Sequence, residues 1–386
     1  MLVAWGVDVY TTTMLRCNLN TDALAIALGE VIPAARHAAP SPRVNSISGN
    51  ATMMNRLILI VSGITTIAAM AMAAEPVREF APLPKAVSSF GAVAIDDAIY
   101  VYGGHSGKAH TYSTKDVLGT FHRLNAKADA QWQEMPGSTH LQGLALVAHQ
   151  GKIIRIGGMQ PHNAEGEPSD NRSVATVERF DPKTNQWEKL PDMPVARSSH
   201  DAVVLGDQLF VFGGWQMNGK GNEPVWHDFG LVADLTQKKI EWKKIEQPFQ
   251  RRALTAAAFA GKVYIIAGMT SDGELERGTN IYDPAQKTWA KGAILPEPRL
   301  NGFTPASCVV GDRLYVNAAD GKVYRLTAKG DTYEEVGEVK DARYVHRMVS
   351  ISQGRMVVLG GASKKGNVAR TEVLGSPMQN APVDQP

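Results

Sequence analysis

The chain has 386 residues, with 40 Lys and Arg against 38 Asp and Glu, a formal net charge of +2. That length is enough for one large or two ordinary domains, and a charge so close to balance gives no field that would attract nucleic acid or an anionic membrane. Gly, Val, Ile, Tyr and Trp recur in short runs separated by Gly, Asp and Pro. No long stretch has the apolar spacing of an amphipathic helix, so the composition predicts an all-β protein.

Residues 53–73 have the features of a secretory signal peptide. Arg56 is followed by an apolar stretch and then by small residues that end at Ala73. The apolar stretch is too short, and too often interrupted by Ser, Gly and Thr, for a membrane span of about 20 residues. A retained membrane anchor is the alternative. We therefore expect cleavage before Ala74, no stable membrane insertion, and a periplasmic or secreted protein.

The signal-like segment lies unusually far from the start of the chain. Secretory signals begin within a few residues of the start of translation, yet about fifty residues precede this one. Met53 or Met54 is therefore a candidate for the true start, and a disordered leader over 1–52 is the competing interpretation. Because Cys17 lies upstream of the signal, only Cys308 would remain after cleavage and no internal disulfide is expected.

Six copies of one unit follow the signal, at intervals of about forty to sixty residues. Each contains a strand-like run that ends in a glycine pair or its remnant: AIYVYGG, KIIRIGG, QLFVFGG, KVYIIAG, RLYVNAA and RMVVLGG. A two-residue turn signal joins this run to a strand upstream. These signals are Asp96-Asp97, Gly151-Lys152, Gly206-Asp207, Gly261-Lys262, Gly311-Asp312 and Gly354-Arg355. A third run follows, and the fourth opens with an aromatic residue: Trp132, Trp187, Trp242, Trp289 or Tyr333.

This four-stranded unit, with its tight first hairpin, diglycine and aromatic residue, resembles the kelch motif. The resemblance covers roughly residues 77–376 and implies a six-bladed β-propeller, because a small twisted sheet must pack against neighbours arranged around an axis. The tryptophans are expected to fill the wedges between blades. We expect the propeller to occupy 74–376 and a polar tail to follow over 377–386.

The sixth copy supplies only three strands, the last of which is TEVL at 371–374. Near the other end of the propeller, the segment FAPLP at 80–84 aligns with the fourth strand of copy two. We therefore predict that residues near 77–84 complete the sixth blade. This pairing closes the ring and removes two exposed sheet edges, and a monomer is expected.

The loops indicate where a ligand would bind. If each blade has strands a to d, alternation places the b–c and d–a connections on one face, and nearly all variable loop length lies in the b–c loops there. Long loops on a rigid scaffold are the usual place for binding groups. The candidate ligand-binding residues on this face are Arg197, His200, Arg251, Asn301, Arg343, Trp215 and His105.

Arginine is the residue type that suggests the ligand. Kelch domains of ubiquitin-ligase adaptors hold acidic peptides with arginines in d–a connections, and Arg197, Arg251 and Arg343 resemble them in placement. Since arginine pairs with carboxylates, we predict a small anionic ligand such as a sugar acid, a glycan or an acidic peptide, with Trp215 as a stacking platform. The alternative is that the arginines satisfy neighbouring carbonyls or acids, and that Trp215 packs against Trp226.

The chain also resembles the periplasmic sialic-acid mutarotases, or N-acetylneuraminate epimerases, which are exported six-bladed kelch propellers of similar size. In that family a glutamate after the strand-b glycine of blade four, and an arginine in the same loop, carry the chemistry. Here Met269 follows Gly268, so Arg277 is the candidate arginine, and Glu274 or Glu276 is the candidate acid. The resemblance implies a mutarotase as an alternative to a binding module, with a protein-interaction scaffold as the third possibility. Whether the protein is an enzyme stays open.

No cofactor or metal is expected. The histidines are scattered rather than set at metal-ligand spacing. Copper oxidases with kelch propellers need a tyrosine cross-linked to a cysteine, and Cys308 lies alone in a predicted strand. No Ser-His-Asp or paired-carboxylate arrangement stands out in the sequence.

Overall fold

Six antiparallel sheets follow one another along the chain in the computed structural model, which describes residues 78–375. The first strand of each sheet packs against the first strands of its two neighbours, in the cyclic order one to six and back to one. The protein is therefore an all-β, six-bladed propeller, as predicted. No helix in the described part of the chain is long and apolar enough to cross a membrane. The predicted leader, signal peptide and tail lie outside the described residues and stay predictions.

Strands a to d run outward from the centre of each blade. In blade one they are Gly91–Ile95, Ala98–Tyr102, Phe121–Asn125 and Gln133–Met135. In blade two they are Ala145–His149, Lys152–Ile156, Val177–Asp181 and Gln186–Leu190. In blade three they are Ser198–Leu205, Gln208–Gln216, Phe229–Asp234 and Trp242–Glu246. In blade four they are Thr255–Phe259, Lys262–Thr270, Leu275–Asp283 and Thr288–Ile294. In blade five they are Ala306–Val310, Arg313–Asn317, Lys322–Leu326 and Tyr333–Glu338. In blade six they are Arg347–Ile351, Arg355–Leu359, Thr371–Leu374 and Arg78–Glu79. Short strands in the connections are Met159–Pro161, Asn171–Ser173, Val225–Trp226, Arg251–Arg252, Ala362–Ser363 and Gly366–Asn367, and Arg299–Gly302 is a 3-10 turn.

The N-terminal strand closes the ring, as predicted. Arg78–Glu79 pairs antiparallel with the outer part of strand c in blade six, and the Phe80 amide donates to the Thr371 carbonyl at 3.1 Å. Glu79 also accepts from Lys340 Nζ at 2.6 Å. This strand covers the edge that blade six would otherwise expose, which is why the circle needs no fourth strand from the C-terminal side.

The strand-d tryptophans join neighbouring blades, which confirms their predicted place in the wedges. Each indole N–H donates to a carbonyl near the end of strand d in the preceding blade, at 2.6 to 3.0 Å. The pairs are Trp132 with Ala81, Trp187 with Pro136, Trp242 with Pro191, and Trp289 with Glu246. In blade five the hydroxyl of Tyr333 also contacts the preceding blade, but through a side chain of strand c, 3.2 Å from Thr279 Oγ1. The aromatic residue thus buries a ring and satisfies its polar atom together.

A belt of six left-handed residues surrounds the centre of the loop-rich face. Just before strand a, or at its second residue in blade three, each blade has one residue with φ between 47° and 59°: Ser89, Gly143, Ser199, Ala253, Thr304 and Val345. The amide of each donates to the belt residue of the preceding blade at 2.6 to 3.0 Å; Val345 uses the Thr304 hydroxyl and the others a carbonyl. Strained backbone of this kind persists only where its surroundings hold it, and here each blade holds the next.

Arg347 crosses the channel inside the belt. Its guanidinium donates to the carbonyls of Phe90 and Leu144 and to Asp201 Oδ1, at 3.0 to 3.1 Å. Asp201 in turn accepts from the Ala256 amide at 2.9 Å. Blades one, two, three, four and six therefore share one polar network at the centre, and this part of the channel is filled by the protein itself.

Candidate functional site

The long b–c loops form a continuous wall over blades six, one, two and three. Asn367 Nδ2 of blade six donates to the His105 carbonyl of blade one at 3.1 Å, and the Thr114 amide donates to the Asn163 carbonyl of blade two at 3.0 Å. The Ser173 amide then reaches the Met217 carbonyl of blade three at 3.0 Å. Such links fix the wall to the scaffold, as a binding surface requires.

The wall ends between blades three and four, where a groove of about 610 Å³ opens on the same face. In blade five the b–c loop has shrunk to a turn closed by the Gly321 amide and the Ala318 carbonyl. The groove is lined by Asp228, Gln247, Pro248, Phe249, Gln250, Thr270, Ser271, Asp272, Glu274 and Glu276. This volume is in the range of small-molecule and peptide sites.

The groove is acidic. Its lining carries the exposed carboxylates of Asp228, Asp272, Glu274 and Glu276, and no Lys or Arg. The Thr270 hydroxyl and the Glu274 amide donate to Asp272, which lowers the pKa of that carboxyl below its ordinary value. Glu274 lies 2.5 Å from Arg299 Nη2, whereas Asp228, Asp272 and Glu276 have no Lys or Arg nitrogen within 4 Å among the described residues, so the field in the groove attracts cations.

Buried polar contacts hold the floor of the groove. Gln247 accepts from the Gly213 amide at 2.8 Å and donates to the carbonyls of His227 and Phe249 at 3.1 and 2.7 Å, so one amide side chain ties three backbone segments together. The Phe249 ring lies edge-on to Trp289, with 5.7 Å between ring centroids. The groove thus combines a rigid apolar floor with a charged rim.

The three predicted arginines lie inside their blades rather than at a common cavity. Arg197, Arg251 and Arg343 are 0, 3 and 0% exposed. Each reaches from its d–a connection to strand c in its own blade. Arg197 donates to the carbonyls of Gly213 and Phe229, Arg251 to the Gly278 carbonyl and Asn280 Oδ1, and Arg343 to Glu372 Oε1. Burial lowers the pKa of Arg197 to about 9 and that of Arg251 to about 10, so both stay charged at neutral pH.

An anion would have to displace these partners to reach the guanidinium groups. The geometry therefore favours the structural alternative given by the sequence, and a ligand-binding role for the arginines stays a prediction. The three arginines are buried because each lies two residues before its belt residue, a position of the repeat that is buried in other blades as well. Blades one and two have the buried residues Val87 and Leu141 at this position.

Three further predicted residues are also engaged internally. His105 is buried, and its Nε2 lies 2.7 Å from the Thr111 carbonyl. Asn301 Nδ2 donates to Asp320 Oδ2 at 2.9 Å. Trp215 is 7% exposed; it packs edge-on against Trp226, and the Arg252 guanidinium lies 4.0 Å from its ring centroid. Its rings are therefore covered by neighbours, and the role as a sugar platform stays a prediction.

His200 and His346 occupy an apolar position of the repeat. Each follows its belt residue directly, where other blades have Phe90, Leu144 and Leu254, and both are buried. Burial, with nearby arginine charges, lowers the pKa of His346 to about 3 and that of His200 well below its ordinary value. Both rings are neutral in the folded protein at neutral pH and act as packing groups.

These histidines should make the fold sensitive to acid. Because the folded pKa lies below the unfolded value of about 6.5, the unfolded chain binds more protons between those values, and stability falls as pH falls by about 1.4 kcal/mol per unit for each histidine. We expect the double variant His200→Leu, His346→Leu to lose most of this slope between pH 6 and 4 while folding normally at pH 7. Urea unfolding at several pH values measures it. An unchanged slope would contradict the conclusion that His200 and His346 are buried in neutral form.

The candidate mutarotase residues separate. Glu274 and Glu276 line the groove, whereas the Arg277 guanidinium donates to the Leu295 carbonyl and to Glu297 Oε1, at 2.6 and 2.5 Å. Neighbouring residues of a strand point to opposite sides, which explains the split between Glu276 and Arg277. The structure therefore brings together the two candidate acids and places the candidate arginine elsewhere.

Comparison with known proteins decides the family. The model of the KLHDC2/KLHL20/DRC7 Kelch-repeats domain matches residues 64–214 and 143–361, more than half of the chain. The chain belongs to the Kelch-repeat family. Sequence reasoning singled out Glu274 and Glu276 among the lining residues of this Kelch propeller's groove, but not Gln247, Phe249, Gln250 or Asp272. The acid-rich segment SDGELE at 271–276 was a signal for Asp272.

The Kelch propeller is similar to several curated proteins. It is 26% identical over 267 residues to Kelch-like protein 35 from Mus musculus, covering 68% of this chain and 39% of that protein. It is 23% identical over 252 residues to beta-scruin from Limulus polyphemus, covering 59% and 26%. It is 27% identical over 251 residues to acyl-CoA-binding domain-containing protein 4 from Arabidopsis thaliana, covering 60% and 35%. The chain thus spans well under half the length of these relatives.

A solved structure shows the same fold. The structure of YjhT has a TM-score of 0.62 and 15% sequence identity, over 78% of this chain and 97% of that chain. At this identity, the likeness supports the propeller architecture alone.

Proposed function

We propose that this Kelch propeller is a binding module that holds a positively charged segment of a partner protein in the groove between blades three and four. The observation that carries the proposal is a groove on the loop-rich face whose described lining has four carboxylates and no basic side chain. An ammonium or guanidinium group of a partner would gain charge-assisted hydrogen bonds there. The signal-like segment at 53–73 supports a location outside the cytoplasm.

Exposed apolar side chains near the groove add to this proposal. Among the described residues, the large hydrophobic side chains that are exposed are Val225, Ile294 and Leu300, at 53, 63 and 42%. Each lies on or beside a connection on the loop-rich face of blade three or four. A partner segment with both basic and apolar residues suits this arrangement, since the apolar contacts supply affinity and the charges supply orientation.

The anionic ligand predicted from the arginines is less well supported. An anion in the groove would meet four carboxylates, and the cations beneath them are already bound. Arg251 lies under the Phe249 ring, with 4.4 Å from its guanidinium carbon to the ring centroid, and is nearly fully buried. Its charge moderates the acidity of the groove without offering a free donor at the surface.

The proposal is tested by binding of a labelled octalysine peptide. Replacing Glu274 and Glu276 together by glutamine is expected to weaken binding about fivefold to tenfold, because each exposed charge pair contributes about 0.2–1 kcal/mol. The matched control is Glu334→Gln, Glu335→Gln on strand d of blade five; these exposed carboxylates pair with Arg325 and Lys322, as Glu274 pairs with Arg299. Equal weakening in the control, or no binding by the unmodified protein, would sink the proposal.

A mutarotase is the second candidate, supported by two carboxylates in one groove. Anomerisation needs a group that accepts the anomeric hydroxyl proton and one that protonates the ring oxygen, and a carboxylate with its carboxylic acid form suits both steps. Proton NMR of freshly dissolved α-sialic acid measures the rate. Faster equilibration that is lost in Glu276→Gln would favour the enzyme. An unchanged rate would rule out the mutarotase and leave the binding module as the one proposed function.

A further inference from the structure

A second charged region lies on the same face, at the seam between blades six and one. Parts of three connections meet there: residues 83–87 of the d–a connection, residues 105–111 of the b–c loop of blade one and residues 361–369 of the b–c loop of blade six. Their sequences are LPKAV, HSGKAHT and GASKKGNVA. These segments carry four lysines and two histidines and no aspartate or glutamate; the acid of the blade-one loop, Asp116, lies beside Gly107 and accepts from the Ser113 hydroxyl at 2.7 Å. We call this region the lysine patch.

Backbone contacts hold the three segments side by side. The Leu83 amide donates to the Ala369 carbonyl at 2.7 Å, and the Gly361 amide donates to the Val87 carbonyl at 2.8 Å. Asn367 Nδ2 reaches the carbonyl of Gly107, next to Lys108, at 3.1 Å. The three segments that carry the lysines are therefore tied to one another at the seam.

The charges of the lysine patch are available to a partner. Lys85, Lys108, Lys364 and Lys365 are exposed, and within residues 78–375 none of them lies within 4 Å of a carboxylate oxygen. Some other lysines of the described chain are paired, such as Lys340, 2.6 Å from Glu79, while others, such as Lys183 and Lys291, lie singly on other parts of the propeller without such a partner. Four uncompensated ammonium groups on one edge repel each other, and an anionic partner relieves that repulsion.

We propose that the lysine patch binds an acidic polypeptide segment. Lysine offers a strongly hydrated point charge rather than the bidentate fork of arginine, so the patch suits a run of carboxylates held by charge more than by fixed geometry. Binding of this kind accelerates association and weakens with salt.

The position of the lysine patch favours a polypeptide over a uniformly charged polymer. In the cyclic order of the blades, the seam between six and one lies opposite the seam between three and four, where the acidic groove opens. A long polyanion that extends across the face meets the four groove carboxylates. A polypeptide can carry acidic residues at one end and basic residues at the other, so one partner is able to satisfy both regions.

Fluorescence anisotropy with a labelled octaglutamate peptide in 50 mM salt tests the patch. Lys364→Glu, Lys365→Glu is expected to weaken binding at least tenfold. The control is Lys238→Glu, Lys239→Glu, an equally exposed pair in the c–d turn of blade three, on the opposite face, and we expect less than a twofold change. Equal losses in the two variants, or no binding by the unmodified protein, would overturn the proposal. A sulfated polysaccharide that binds the patch more tightly than octaglutamate would also overturn it.

The lysine patch does not depend on the proposed function of the groove. The variant Glu274→Gln, Glu276→Gln should keep octaglutamate binding intact while it loses octalysine binding, and the lysine-patch variant should do the reverse. If octalysine binding fails and octaglutamate binding follows the patch lysines, the groove proposal alone is wrong.

Discussion

Replacing Glu372 by leucine is expected to lower the free energy of unfolding by about 3–5 kcal/mol, the effect of leaving a buried charge without its partner. Glu372 and Arg343 are both fully buried, with 2.5 Å between Oε1 and Nη2. The second oxygen of Glu372 accepts from the Lys340 amide at 2.7 Å. Without the carboxylate, the Arg343 guanidinium stays in the interior of blade six with no counter-charge.

The double variant Arg343→Leu, Glu372→Leu separates charge from packing. We expect it to recover most of the lost stability, since replacing a buried ion pair by apolar residues is often neutral. Blades one and two already carry Val87 and Leu141 at the position of Arg343. Urea unfolding of the two single variants and the double variant gives the coupling energy. A double variant as unstable as Glu372→Leu alone would show that the unpaired charge of Arg343 does not cause the loss of stability.

A chain that begins at Pro84 is expected to lose several kcal/mol of stability or to aggregate. It lacks the strand Arg78–Glu79, the buried side chain of Leu83 and the Ala81 carbonyl that accepts from Trp132. Buried leucine alone contributes about 1.5–3 kcal/mol, and total stabilities are about 5–15 kcal/mol. The exposed edge of strand c in blade six would also be free to pair with other chains.

The comparison is with a chain that begins at Pro76 and so keeps the closing strand. Thermal unfolding and light scattering of both chains measure stability and aggregation. Equal midpoints and equal scattering would mean that residues 78–83 do not close the propeller. Because the two chains differ only in 76–83, the result is independent of the signal-like segment.

The repeat made most of the fold predictable. The regular spacing of the glycine pairs and the strand-d tryptophans predicted the six blades. The missing fourth strand of copy six predicted that the N-terminal segment closes the ring. The hairpin turns were less well placed. In blades two and four the turns are Gln150-Gly151 and Ala260-Gly261, one residue earlier than predicted, and both turn residues have positive φ. Glycine occupies the second turn position there, whereas the prediction put it first. In blade six the turn spans the three residues 352–354, where Gly354-Arg355 was predicted.

The candidate site was less predictable for a physical reason. An arginine in a d–a connection looks the same in sequence whether it faces solvent or reaches back to strand c of its own blade. Arg197 and Arg251 do the latter. The groove is formed by residues from three separate segments, 228, 247–250 and 270–276, which the fold brings together. No single motif shows this arrangement, although the acids at 271–276 were visible.

Hydrogen–deuterium exchange with and without octalysine tests most directly whether the groove is the binding site. We expect protection of the backbone amides at 247–250 and 270–276, which line the groove, and no change at 105–111 or 361–369 in the lysine patch. The same protection should be absent in Glu274→Gln, Glu276→Gln. Protection that appears around the central arginines, or that spreads evenly over both faces, would contradict the claim that this propeller binds a cationic partner between blades three and four.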